Sequence, residues 1–297
     1  MVYLKPGPVK VGGVSLNNHL LLAAGVLGTT GTSLARMLSL GAGGVVTKSI
    51  GPVPKEGHAG PCLVVLEDGL INAMGLPNPS KDFVEEMAAL PLIKQPVVVS
   101  IFGGNPEEFA TVADWFKGNV SGFELNLSCP HAEGYGAAIG SDPALVEACT
   151  RAVSRLGVPT WVKLTPNVTD ITAIGRAAER GGATAIVAIN TLKAMRISTE
   201  IRRPVLGNRF GGLSGNAIFP VAVRCVYELY ASCKIPIIGC GGISTADNVI
   251  EMMMAGARAV EIGSAVHADV NVFETIAKDL YAKNGIEADE IVGCAHE

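Results

Sequence analysis

Along the chain, short apolar runs alternate with amphipathic segments of about ten to fifteen residues from Leu20 onward, the pattern of strands interleaved with helices and of a parallel sheet. The pattern predicts eight strands, at Leu21–Ala24, Gly44–Thr47, Pro96–Ser100, Gly122–Leu127, Thr160–Leu164, Ala185–Ile189, Ile237–Gly239 and Ala259–Ile262. Between and after them it predicts helices at Ser33–Leu40, Lys81–Leu90, Pro106–Phe116, Pro143–Leu156, Ile171–Arg180, Ala217–Leu229, Ala246–Met254 and Val272–Lys283. Three of these carry explicit start signals. Asn105-Pro106-Glu107-Glu108 offers a cap, a proline in the first turn and two acids, and Ser141-Asp142-Pro143 and Thr169-Asp170 are similar.

Eight parallel units within 297 residues, with no linker or shift in composition, fit one closed (β/α)8 barrel spanning 1–297 better than a doubly wound open sheet. In such a barrel chemistry sits where the strands end, and polar residues concentrate there: Lys48-Ser49, Ser100, Asn126 with Ser128-Cys129, Lys163, Asn190-Thr191, Gly241-Gly242 and Gly263-Ser264. Two long insertions, Ile50 to Lys81 and Leu192 to Asn216, interrupt the alternation and are expected to lie over this C-terminal mouth as binding loops.

Composition narrows the function class. The chain is 48% hydrophobic and 17% charged, with a net charge of -4 and no run of lysine or arginine, so neither nucleic acid nor an anionic membrane surface is an expected partner. Met1 to Lys10 has no apolar signal core, and no run of about 18 uncharged apolar residues follows, so a cytoplasmic location is expected. The seven cysteines lack CxxC or any other metal-ligand spacing and read as reduced thiols, most of them in the core; no metal site is expected.

The most distinctive stretch is Glu124-Leu125-Asn126-Leu127-Ser128-Cys129-Pro130-His131, a buried strand that ends abruptly in polar side chains and a proline. Cys129, beside an amide, a hydroxyl and an imidazole and ahead of the glycine-rich Glu133-Gly134-Tyr135-Gly136, is a candidate base or nucleophile; the alternative is a thiol packed as a small hydrophobe. Lys48 and Lys163 each follow an apolar strand and are expected to face the barrel mouth. A charge there needs a partner, so the two together imply an anionic or electron-rich ligand, unless both reach solvent from the strand ends. Glycine-rich turns at Gly211-Gly212-Leu213-Ser214-Gly215, Gly239-Cys240-Gly241-Gly242 and Gly263-Ser264 suit a phosphate, which barrels of this kind bind after strands seven and eight. With neither a Walker lysine motif nor a strand-linked GxGxxG, flavin mononucleotide (FMN) suits these turns better than a nucleoside triphosphate or NAD.

Asn72-Ala73-Met74-Gly75-Leu76, Asn126-Leu127-Ser128-Cys129-Pro130, Val162-Lys163-Leu164, Ile189-Asn190-Thr191, the Gly-Gly-Leu-Ser-Gly turn and Gly241-Gly242 resemble dihydroorotate dehydrogenase, in register over almost the whole chain. The resemblance is greatest to the class 1B catalytic subunit, which uses FMN, a cysteine base and NAD as final acceptor; membrane-bound class 2 enzymes carry a serine in place of Cys129 and an N-terminal helical extension. It implies oxidation of (S)-dihydroorotate to orotate in de novo pyrimidine (UMP) biosynthesis, Cys129 taking the C5 proton while a hydride leaves C6 for the flavin. It places the substrate against Lys48, Asn72, Ala73, Met74, Gly75, Leu76, Asn126, Asn190 and Thr191. FMN is placed against Ala24, Lys48, Ser49, Ser100, Asn126, Lys163, Ile189, Gly215, Gly241, Gly242, Gly263 and Ser264, with Lys163 at the N1–O2 edge of the ring. It further implies a homodimer associating with an electron-transfer subunit that carries FAD and a [2Fe-2S] cluster. His131 stands where many relatives have asparagine, and Ala24 and Ser100 stand where others have serine and asparagine. Asn126 to His131 and the stretch from Lys163 to Asp170 also resemble the pyrimidine-reducing domain of dihydropyrimidine dehydrogenase, so reduction of uracil or thymine is one alternative; a fumarate-linked class 1A-like oxidase and a non-catalytic barrel that only binds a phosphorylated ligand or a partner are others.

Overall fold

The computed structural model describes residues 2–88, 95–127 and 139–297. Eight strands close into a barrel: β1 (Leu20–Leu22), β2 (Gly44–Val46), β3 (Val97–Ile101), β4 (Gly122–Asn126), β5 (Thr160–Leu164), β6 (Ala185–Ala188), β7 (Ile237–Cys240) and β8 (Ala257–Ile262). Each pairs in parallel with its sequence neighbours, and β8 closes on β1. This is the (β/α)8 barrel expected from the alternation.

The longer helices are α1 (Gly31–Ser39), α2 (Asp82–Ala88), α3 (Pro106–Phe116), α4 (Pro143–Ser154), α5 (Ile171–Arg180), α6 (Phe219–Ser232), α7 (Ala246–Met254) and α8 (Val272–Leu280), with a single helical turn, Ala265–Ala268, before the last of them. The three start signals act as caps. Asn105 accepts from the Glu108 amide, Asp142 from Ala144 and Leu145, and Asp170 from Thr172 and Ala173. Several helix ends differ from expectation by a few residues, two of them for a visible reason. A 3₁₀ turn, Asn216–Ile218, precedes α6, which starts only at Phe219 because Pro220 fits the first turn and cannot donate within a helix. α8 stops at Leu280 because the chain then turns to pair with the N-terminal segment, where the Ala282 amide donates to Leu4 O and the Leu4 amide to Leu280 O.

Alternate strand residues face two separate cores. Leu21, Val46, Val98, Trp161, Val187, Ile238 and Ala259 fill the barrel lumen, while Leu20, Leu22, Val45, Val97, Val99, Val162 and Ile186 pack outward against the helices. The lower end of the lumen is closed by a hairpin that the periodicity did not announce, Val9–Val11 paired with Val14–Leu16. Its two-residue loop is Gly12-Gly13, both at positive φ (52° and 86°), as such loops require. Trp161 Nε1 donates to Gly12 O at 3.4 Å, and a β-carbon on Gly12 would lie 2.6 Å from that nitrogen. No helix among the described residues is long and apolar enough to cross a membrane.

Trp161→Ala, which empties the lower lumen, is expected to cost about 3–5 kcal/mol in denaturant unfolding; a loss below about 1 kcal/mol would show that the plug is dispensable. His19 supplies a pH-dependent term at the same end of the barrel. Its ring Nδ1 lies 3.2 Å from the Tyr281 hydroxyl, and burial, aided by Arg258, lowers its pKa from 6.5 to about 4. The folded state therefore binds this proton less readily than the unfolded chain. Stability is fully present above about pH 6.5 and is lost as pH falls toward 4, by up to about 3 kcal/mol. Against His19→Gln, the wild type is expected to lose stability over that window; parallel pH profiles of the two would refute it.

Candidate active site at the barrel mouth

The two insertions close over the C-terminal ends of the strands as one antiparallel sheet. Leu63–Leu66 pairs with Gly69–Asn72, Asn72 stands opposite Gly212 in the strand Gly211–Ser214, and Leu192–Ala194 completes the order. A β-carbon on Gly212 would lie 2.1 Å from Thr191 Oγ1, so the close approach of the second insertion to the end of β6 requires glycine. Residues 73–76 are pinned by the first half of their own insertion. The Ala73 amide donates to Cys62 O at 2.8 Å and the His58 amide to Met74 O at 3.0 Å.

Beneath this sheet lies a cavity of about 410 Å³. Of the residues singled out in the sequence, Ala24, Lys48, Ser49, Asn72, Ala73, Met74, Gly75, Leu76, Asn126, Lys163, Ile189, Asn190, Thr191, Gly241, Gly242, Gly263 and Ser264 all line it. Two do not reach its wall. Ser100 is fully buried behind Ser49, their hydroxyls 2.9 Å apart, and Gly215 (φ 97°) packs against Gly69 at the turn into the 3₁₀ segment. Cys129 and its neighbours from Ser128 to His131 lie outside the described residues.

A chain of side-chain hydrogen bonds crosses the mouth. Asn190 Nδ2 donates to Asn126 Oδ1 at 3.4 Å, and Asn126 Nδ2 donates to Ser49 Oγ at 3.1 Å, which continues to Ser100. The Thr191 amide donates to Asn190 Oδ1 at 2.7 Å. Each asparagine is thus held in one orientation by its neighbour, with its amide at the cavity wall, a group that suits a ligand rich in carbonyl and N–H groups.

Both lysines are buried, Lys48 at 8% and Lys163 at 5% exposure, so neither reaches solvent from its strand end. The expectation that both await an anion from a ligand is corrected for Lys163. Its Nζ sits 2.6 Å from Glu261 Oε2 and 3.7 Å from Glu124 Oε1, and both glutamates are fully buried in the lumen. Burial works against the Lys163 charge, but the surrounding anionic groups hold its pKa well above that of an ordinary lysine. The cavity floor is therefore a protonated amine with carboxylates beneath it. Glu124 and Glu261 went unassigned in the sequence, although an acid in the middle of Phe123-Glu124-Leu125 and of Val260-Glu261-Ile262 is itself a signal, because an unpaired inward-facing carboxylate is too costly to bury.

The phosphate turns pass a structural test of fit. Among the described residues the amides of Gly242, Gly263 and Ser264 have no backbone carbonyl partner, and all three residues border the cavity. A β-carbon on Gly263 would meet only Ala23 Cβ and Val26 Cγ2, at 3.4 and 3.8 Å, whereas one on Gly242 (φ 74°) would strike Phe219 Cβ at 2.6 Å. Open backbone donors on the last two strand ends above a buried cation suit a flavin with a single phosphate.

The family model for dihydroorotate dehydrogenase matches residues 8–283. The chain belongs to the dihydroorotate dehydrogenase family. Its relatives include the catalytic subunit of dihydroorotate dehydrogenase B (NAD(+)) from Methanosarcina mazei, 56% identical over 96% of this chain and 94% of that protein. The subunits of the same name from Methanocella arvoryzae (55%, 96% of each chain) and Pyrococcus furiosus (48%, 97% of this chain and 98% of that one) are similar along their whole length. The family resemblance read from the short motifs therefore holds, and the mouth of the barrel is where its members' chemistry is to be sought in this chain.

Lys163→Met would leave two buried carboxylates without their cation, at an expected cost of about 3–5 kcal/mol. Without the ammonium, which opposes the rise, the burial that pushes up the Glu124 carboxyl acts unchecked, and that group stays protonated in the folded state to higher pH than in the unfolded chain. The cost should therefore be smaller near pH 5 than near pH 8 in unfolding measurements. A pH-independent loss would show that the lysine acts by packing alone.

Proposed function

We propose that this chain is the catalytic subunit of a B-type dihydroorotate dehydrogenase, oxidising (S)-dihydroorotate to orotate in pyrimidine biosynthesis with FMN in the cavity. The observation that carries the reading is the convergence of Lys48, Asn72, Asn126 and Asn190 on one cavity whose floor is the Lys163 ammonium. Dihydroorotate offers a carboxylate for Lys48 and an alternating set of carbonyl and N–H groups for the three asparagine amides. FMN, when bound, accepts the hydride that leaves C6. Its phosphate would be held by Gly241, Gly242, Gly263 and Ser264, its ring by Lys163 and the Asn126–Ser49 hydrogen bond, with Ala24 and Ile189 as apolar walls.

Removal of the C5 proton needs a base on the face of the substrate opposite the hydride acceptor, and Cys129, three residues beyond Asn126 at the end of β4, is the residue assigned to it. A thiol is suited to the task once its pKa is brought near the working pH. Family membership and the NAD(+)-linked relatives support transfer of the electrons to NAD through a second subunit. That subunit is proposed to carry FAD and a [2Fe-2S] cluster, docked on a homodimer of this chain in the cytoplasm. Among the described residues no group of three or more histidine, cysteine or acidic side chains is gathered as a metal site.

The deciding experiment is anaerobic mixing of the purified chain with dihydroorotate. The protein is expected to release one equivalent of FMN per chain on denaturation and to bleach with dihydroorotate but not with dihydrouracil; FAD, or no flavin, would overturn the cofactor assignment. Cys129→Ser is expected to slow the bleaching by roughly 10²–10⁴-fold with orotate affinity little changed, while Cys240→Ser should not. Lys48→Met should abolish orotate binding and keep the flavin. Efficient NAD reduction by the chain alone would exclude the partner, and rapid fumarate reduction would point to the fumarate-linked class.

A further inference from the structure

The family chemistry gives no task to the two glutamates in the lumen. Glu124 on β4 and Glu261 on β8 meet Lys163 from β5 and Cys240 from β7, and among the described residues these four are the titratable groups that face one another there. Both carboxylates are fully buried. Among the described residues neither oxygen of Glu124, nor Oε1 of Glu261, has a hydrogen-bond partner.

Counted at full ionisation, the set carries two negative charges and one positive on side chains that are all buried. A net charge held there is heavily penalised, and so is each carboxylate oxygen that accepts nothing. One proton held between the two carboxyls removes both penalties at once, because it neutralises the set and gives Glu124 a donor to direct at Glu261. Burial, and next the facing Glu261, push the Glu124 carboxyl well above the usual carboxylate range. Burial also pushes the Cys240 thiol up to about 12, which keeps it neutral and out of the count.

We propose that Glu124 and Glu261 share a single proton beneath Lys163 and act as positioning residues that hold the cavity floor at zero net charge. The proposal deepens the FMN reading and rests on it for its consequence. An ammonium compensated by carboxylates favours negative charge on a reduced flavin less than a bare one does, so the pair sets the flavin's reduction potential through Lys163. Lys163 is also fixed in place by the pair, since its amine is drawn to Glu261 at 2.6 Å and kept within 3.7 Å of Glu124.

The test exploits the arithmetic of the shared proton. Glu124→Gln and Glu261→Gln each remove one carboxylate together with the need for the proton, so each single variant stays neutral, whereas the double variant takes both carboxylates from Lys163 and makes the set more positive by one charge. In FMN-loaded protein at pH 7, either single variant is expected to move the oxidised–reduced equilibrium by less than about threefold. The double variant should favour reduction by tenfold or more, about 30 mV for a two-electron couple. In the wild type alone the potential should fall with an extra inflection as rising pH strips the shared proton. A clear rise in potential in each single variant would mean that both carboxylates are ionised, and a double variant with the wild-type potential would deny the tuning role; either result overturns the proposal.

A second measurement needs neither a variant nor flavin. The infrared spectrum of the chain at pH 7, with and without ¹³C-labelled glutamate, should contain the C=O band of a protonated glutamic acid, and its absence overturns proton sharing. A chain that shows this band but takes up no FMN would defeat the cofactor reading and leave the shared proton standing.

Discussion

A closed parallel barrel has no edge, and its lumen is sealed on all sides by its own backbone, so every inward-facing side chain must be packed or paired. That constraint organises the molecule from bottom to top. In the lower lumen it is met by bulk, with Trp161 lying under the Gly12-Gly13 hairpin and Val98, Val187 and Ile238 around it. One layer higher, nonpolar filling gives way to Glu124, Lys163 and Glu261, three charge-bearing side chains drawn together from three different strands. Higher still the side chains are amides and hydroxyls, linked to one another along the cavity wall. The progression from oil to ion pair to open polar edge places reactive groups at the one end of the barrel where a ligand can finish the job.

The mouth is then shaped by loops that borrow their order from each other. Neither insertion holds enough apolar residues to form a core of its own, but the four-stranded sheet they build together buries Ile71, Ala73 and Leu206 as a small separate cluster. That sheet is what carries Asn72 and the segment through Leu76 to the cavity, opposite Asn190 and Thr191 at the end of β6.

Much of this was legible in the chain. Runs such as Val97-Val98-Val99 and the capped starts at Asn105, Asp142 and Asp170 are local signals, so strand order and three helix N-termini follow from residues close in sequence. The hairpin at Val9–Leu16 was missed because its strands are three residues long and read as an irregular N-terminus. Ser100 illustrates a different limit. It sits at a strand end like the residues around it, yet the neighbouring Ser49 stands between it and the cavity, and only three-dimensional layering reveals that. The partners of Lys163 come from strands 39 residues before it and 98 after, so pattern reading could see that a charge needed compensation but not that the protein supplies it.

The Asn72 amide and the Gly212 carbonyl, 3.5 Å apart, are separated by 140 residues of sequence. Side chains on a strand alternate between faces, so inserting or deleting a single residue within Gly69–Asn72 would turn Asn72 away from the cavity while leaving its own insertion otherwise plausible. The same slip within Gly211–Ser214 would set a side-chain-bearing residue against Thr191, where only glycine fits. The two insertions are thus heritable only as a matched pair. Grafting one of them from a distant relative, without the other, would transplant the right residues in the wrong phase.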